Sequence, residues 1–180
     1  VSPSSPRRVT AVAAGLFLFL NAIYLLTYSG TFPTGDEATL MAVTESLAER
    51  GEMSANPLYW NRLGTMSRRP SGDVLPAFEP MQSLLSAPLF WLAQRWPQVG
   101  NIHLTLLFNP LVTALTALMV FAFVITLGYE TRVGVACALL FGLGTIAFPY
   151  SKLFFREPLA GLWLLSAAWC LTRLRQRRNF

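Results

Sequence analysis

Residues 9–28 form an apolar run that contains no charged side chain. At about 1.5 Å per residue, a helix of about twenty residues crosses a hydrocarbon layer of about 30 Å. No other feature restricts the fold as much, because in hydrocarbon every backbone N–H and C=O of a spanning segment must find its partner inside the protein. Arg7 and Arg8 precede the run, the order seen in a secretory signal. The run nevertheless exceeds the apolar region of such a signal, about 7–15 residues, and no A-x-A-like site precedes the polar segment that follows. A retained span is therefore expected. Asn21 lies within it, and an amide in a span is expected to bond a neighbouring helix.

Further apolar runs cover 102–127, 133–149 and 159–171, and a shorter one covers 81–96. Whether 81–96 crosses decides the topology. If it does not, the chain crosses four times, and Arg7/Arg8, the turn at 128–132 and the basic run at 173–178 all face the cytoplasm, as the positive-inside tendency asks. If it does, the densest basic cluster falls outside. Residues 81–96 therefore read as an interfacial or re-entrant helix, with Pro88 in the middle and Trp91 and Trp96 suited to the headgroup boundary. The expected fold is all-α and integral to a membrane, with about four transmembrane helices and a long, partly helical first loop on the extracytoplasmic side. Its parts are a cytoplasmic start (1–8), spans at 9–28, 102–127, 133–149 and 158–174, extracytoplasmic loops at 29–101 and 150–157, a cytoplasmic turn at 128–132 and a cytoplasmic end at 175–180.

Composition agrees with this class: 53% of the residues are hydrophobic and 13% charged, and the mean hydropathy is +0.46. The net charge of +5 comes from basic residues at the ends of apolar runs, not interleaved with aromatics on a polar face. That pattern points to a lipid bilayer and away from nucleic acid. Cys137 and Cys170 lie inside apolar runs, where a thiol acts as a small hydrophobe, so neither a disulfide framework nor a zinc site is indicated.

The first loop holds seven of the nine acidic residues. Within it, 37–50 places Leu40, Met41, Thr44, Leu47 and Ala48 at helical spacing, opposite Glu45, Glu49 and Arg50. This predicts a short amphipathic helix lying on the membrane and ended by Gly51. Residues 56–76, rich in Pro, Gly, Ser and Arg, read as irregular loop.

Two acidic segments carry the candidate chemistry. Thr34-Gly35-Asp36-Glu37 matches a capping box, with Thr34 as N-cap and Glu37 reaching back to it. A cap uses Glu37 and leaves Asp36 free to act as a general base, or as a ligand for a cation or a sugar hydroxyl. The second segment holds Lys152, Arg156 and Glu157; Lys152 is the only lysine in the chain. Its cations read either as interfacial anchors or as a clamp for the phosphate of a lipid-linked substrate. Glu157 reads as a helix-start carboxylate on the same terms.

The order of features resembles the N-terminal part of a GT-C glycosyltransferase, specifically the polyprenyl-phosphate-dependent, protein-mannosyltransferase-like bacterial enzymes of family 39. The residues that carry the resemblance are Thr34-Gly35-Asp36-Glu37, Thr44-Glu45-Ser46-Leu47, Glu79-Pro80-Met81-Gln82-Ser83-Leu84, Asn109-Pro110-Leu111-Val112, Phe141-Gly142-Leu143-Gly144-Thr145 and Phe155-Arg156-Glu157-Pro158. It implies a catalytic base at Asp36 with Glu37 beside it, and Glu157, where many relatives have Asp, as support for acceptor or metal. Lys152 and Arg156 are then placed by charge and position at the donor phosphate. The implied partners are a polyprenyl-phosphate-linked sugar and a lipid, glycan or protein acceptor, at the outer face of a bacterial inner (plasma) membrane. A divalent cation is the one cofactor left open. Family members continue through about seven spans and more, so the chain is expected to be the N-terminal part of a longer enzyme. The rival expectation is a non-catalytic membrane assembly or transport-associated protein whose Asp36-Glu37 is a helix cap.

Overall fold

In this computed structural model residues 6–56, 66–68, 74–76, 79–96 and 98–178 are described. The described residues are mostly helical. The elements in order are α1 (Pro6–Leu26), α2 (Gly35–Arg50), β1 (Met66–Arg68), β2 (Val74–Pro76), α3 (Met81–Ala93), α4 (Asn101–Leu106), α5 (Phe108–Thr126), α6 (Thr131–Gly144), α7 (Ala147–Tyr150) and α8 (Glu157–Arg178). Two stretches, Arg7–Leu26 and Asn101–Thr126, are long and apolar enough to cross a membrane; α3 and α6 are shorter apolar helices.

The chain divides into two units. The apolar unit is drawn from Val1–Tyr28, Pro110–Lys152 and Glu157–Phe180, and the polar unit from Ser29–Asn109 and Leu153–Arg156. In the apolar unit Leu16, Leu20 and Tyr24 of α1 pack with Ala114, Ala117 and Phe121 of α5 and with Ala138 of α6. Small residues let these helices approach. A Cβ at Gly142 would stand 2.9 Å from the Tyr24 hydroxyl, and one at Gly134 would stand 2.9 Å from the Phe121 ring. The Tyr24 hydroxyl donates to the Gly142 carbonyl at 3.0 Å, giving this buried group its partner. The outer faces stay apolar: Leu18 and Leu26 of α1 are 67% and 83% exposed. Asn21 donates to the Phe17 carbonyl one turn back in its own helix, not to a neighbouring helix as expected.

The polar unit is built around α2. Gly51, at φ 69°, ends the helix in the left-handed region, and its N–H reaches the Leu47 carbonyl. Sequence spacing pointed to one buried face, yet Glu37, Thr39, Leu40, Met41, Ala42, Val43, Thr44 and Ser46 are all buried. The helix is covered around most of its circumference, because hydroxyls that hydropathy counts as polar are absorbed by local bonds. Thr39 and Thr44 return theirs to the carbonyls four residues back, both at 2.8 Å. Packed on α2 is the face of α3 that carries Gln82, Ser83, Ser86 and Phe90, with Ser83 donating to the Leu40 carbonyl at 2.9 Å and Ser86 paired with Thr44 at 3.2 Å.

Several boundaries move from their expected places. Helix α3 ends at Ala93, the expected span at 102–127 is interrupted at Leu107, and the helix expected over 133–149 stops at Gly144 before the short α7. In contrast, α8 continues to Arg178 through its basic run. The loop expected over 56–76 contains an antiparallel hairpin pairing Met66 with Pro76, Ser67 with Leu75 and Arg68 with Val74. Three-residue strands are too short to print an alternation. The rest of that loop, 57–65 and 69–73, lies outside the described residues.

Candidate functional site

Thr34 stands at the N-cap of α2 in extended conformation, φ −131° and ψ 159°. The Glu37 carboxylate turns back to it, and Oε2 accepts from the Thr34 N–H at 3.1 Å and from its hydroxyl at 3.0 Å. This local arrangement is the capping box read from the sequence. The other oxygen does what the sequence could not foretell. Oε1 accepts from the backbone N–H of Phe154 at 2.8 Å, across 117 positions of chain. Glu37 is fully buried, so three donors meet a carboxylate shielded from water. Charge-assisted bonds of this kind are about twice as strong as neutral ones.

A second polar residue holds the same segment. Asn109 Nδ2 donates to the Leu153 carbonyl and, at 2.7 Å, to the Phe155 carbonyl. Its Oδ1 accepts from Gln82 Nε2 at 2.8 Å. Both Nδ2 donors and the Oδ1 acceptor are thereby engaged, and Asn109 and Gln82 are themselves buried. The segment Leu153–Arg156 is thus gripped through its backbone by Glu37 and Asn109, with the Phe154 ring fully buried beneath it. Sequence reading missed both amides as site-forming residues. The available signal was an amide within each apolar run, 81–96 and 102–127.

The predicted residues separate as follows. Asp36 is exposed, one residue before the buried Glu37. Arg156 forms an ion pair with Glu79 on the outside of the polar unit. Lys152 and Glu157 belong to the apolar unit, where the Lys152 ammonium sits 3.9 Å from the centre of the Phe148 ring and Glu157 lines a cleft. Among the described residues no three His, Cys, Asp or Glu side chains come together. A divalent cation needs several oxygen ligands. Glu37 has both oxygens committed to N–H and O–H donors, so the acidic pair offers Asp36 alone and does not fit such an ion.

Elsewhere on α2, burial raises the Glu45 carboxyl above its ordinary value, the neighbouring Glu49 adds to the rise, and Arg50 opposes it. No family model, curated protein or solved structure matches the chain.

Proposed function

We propose that this chain is the N-terminal part of an integral membrane glycosyltransferase, which moves a sugar from a polyprenyl-phosphate donor to a lipid, glycan or protein acceptor at the extracytoplasmic face of a bacterial plasma membrane. The observation that carries this reading is the buried hydrogen bond of 2.8 Å from Phe154 to Glu37. Within the polar unit it ties the acid-bearing start of α2 to the backbone of Leu153–Arg156, the stretch that carries Arg156. Burial supports the membrane part of the reading. In a water-soluble protein a helix as apolar as α1 would be mostly covered, but 17% of its apolar window is buried. In the proposed topology Arg7–Leu26, Asn101–Thr126, α6 and α8 cross, and both acidic segments lie outside.

In the proposed reaction the Asp36 carboxylate takes the proton from an acceptor hydroxyl or amine. The freed lone pair forms a bond to the anomeric carbon as the bond from that carbon to the phosphate oxygen breaks. Polyprenyl phosphate leaves with the electron pair and the sugar is inverted. Phosphate is a good leaving group, so a base and cations suffice. Glu37 transfers no proton; it fixes the backbone that carries Asp36. The Arg156–Glu79 pair is exposed, and such pairs contribute about 0–1 kcal/mol, so a donor phosphate displaces Glu79 at small cost. The family resemblance would add Lys152 as a second cation and Glu157 as support for the acceptor.

The test is transfer of labelled sugar from polyprenyl-phosphate donors by membranes that contain the full reading frame. Asp36→Asn at equal abundance is expected to lose about 100-fold or more of the incorporation, the range of general-base removal. Glu157→Gln is expected to lose less. A second reading, a non-catalytic membrane assembly protein, is favoured by the complete capping box. Unchanged incorporation in both variants would establish it in place of the first.

A further inference from the structure

Buried and half-buried threonines in these helices return their hydroxyls to the carbonyl four residues back: Thr105 to Asn101 at 2.8 Å, Thr116 to Val112 at 2.9 Å and the half-buried Thr126 to Ala122 at 2.8 Å. Thr113 differs. The residue is 2% exposed, and its Oγ1 finds no hydrogen-bond partner among the described residues. A buried hydroxyl left in this way has lost its hydration without a replacement, a cost that a ligand can remove by bonding to it.

Thr113 lines a cleft of about 330 Å³ inside the apolar unit, bounded by α5, α6, α7 and the first turns of α8. That volume lies at the lower end of small-molecule sites, about 300–1,000 Å³. Phe141 and Ile146 give it hydrocarbon walls, and Gly161 leaves one side open, since a Cβ built there meets nothing within 4 Å. Among the described lining residues Glu157 is the one charged side chain. An apolar wall with a single carboxylate repels an anionic head and suits a cationic one that donates hydrogen bonds.

We propose that this cleft binds a single-chain amphiphile with a protonated primary amine head. The chain lies against Phe141 and Ile146, the ammonium donates to the Glu157 carboxylate, and the Thr113 hydroxyl takes a further hydrogen bond from the ligand. The inference goes beyond sugar transfer and concerns binding, so its test contains no transfer step.

The experiment measures binding of radiolabelled dodecylamine to the full chain in phosphatidylcholine nanodiscs, over empty nanodiscs, with dodecanol and dodecyl phosphate as competitors. Saturable binding at one site per chain is expected, with dodecyl phosphate competing at least tenfold more weakly than unlabelled dodecylamine and dodecanol in between. Glu157→Gln should weaken dodecylamine about tenfold and erase the preference between heads. Gly161→Leu should abolish saturable binding by filling the cleft, and Thr113→Val should weaken it severalfold. Helical circular dichroism checks that each variant folds. Glu157→Gln, at an exposed position, carries the test if Gly161→Leu does not fold. Binding that never saturates, equal competition by all three heads, or affinity indifferent to Glu157→Gln would overturn the proposal.

Discussion

Both units bury hydrophobic side chains, but the polar unit buries many more polar ones beside them. Inside the apolar unit a few aliphatic, aromatic and alanine side chains meet, while Leu18, Leu26, Trp163 and Leu164 face outward. Inside the polar unit the buried set includes Glu37, Thr39, Thr44, Ser46, Gln82, Ser83, Ser86 and Asn109. The first arrangement depends on close backbone approach and on a surrounding that tolerates hydrocarbon. In the second, every lost partner strands a polar group away from water. The two interiors should therefore fail differently when one atom group is removed or added.

The sharpest break is Glu37→Ala, which leaves the buried Phe154 N–H without its acceptor and removes the partner of the Thr34 N–H at the exposed cap. A loss of about 3–5 kcal/mol is expected in thermal unfolding followed by circular dichroism. The exposed neighbour Asp36 sits near the positive end of α2, and Asp36→Ala should lose no more than about 1 kcal/mol. Equal losses at the two positions would remove the distinction between tether and base.

In the apolar unit the corresponding probe adds one methyl. Gly142→Ala would place a Cβ 2.9 Å from the Tyr24 hydroxyl and 3.0 Å from Leu20, so α1 and α6 must separate or Tyr24 must abandon its bond. A cost of about 1–3 kcal/mol is expected. Gly15→Ala, where an added Cβ meets nothing within 4 Å, should instead stabilise α1 by about 0.5–1 kcal/mol. If both glycines accept alanine equally in melting experiments, close helix approach is not what holds this unit.

The smallest effect concerns Glu45. Its carboxyl is raised above 4.5 mainly by burial, with Glu49 adding and Arg50 opposing. The folded chain therefore holds this proton more tightly than the unfolded one. Stability falls as pH rises from the ordinary value through the raised one, and the loss is complete above it. Glu45→Gln should melt slightly above the parent at pH 7, and the gap should close below the ordinary carboxyl value. A gap that widened in acid would contradict the burial of Glu45.

Local signals were legible in proportion to how local they are. Thr34 and Glu37 stand three apart, so their box is written in the chain, as is the stop at Gly51. The burial of α2 was read too narrowly because Thr39 and Ser46 count as polar in a hydropathy pattern. Nothing in the composition of Leu153–Arg156 announces that its backbone is held by Glu37 and Asn109, since backbone N–H and C=O groups carry no residue identity. The orphan hydroxyl of Thr113 was equally invisible: it depends on a rotamer chosen by neighbours.

By itself the sequence determined which stretches are apolar, where α2 starts and stops, and that an acidic pair follows the first run. Hydropathy, caps and glycine conformations act over a few residues, so they need no fold to be read. Tertiary structure decided that Glu37 is a buried tether while Asp36 is exposed, and that Leu153–Arg156 closes on α2 and Asn109. It also set Thr113 and Glu157 on one cleft. Those choices join groups distant along the chain, and their partners are specified only when packing has excluded water and left each buried donor one acceptor.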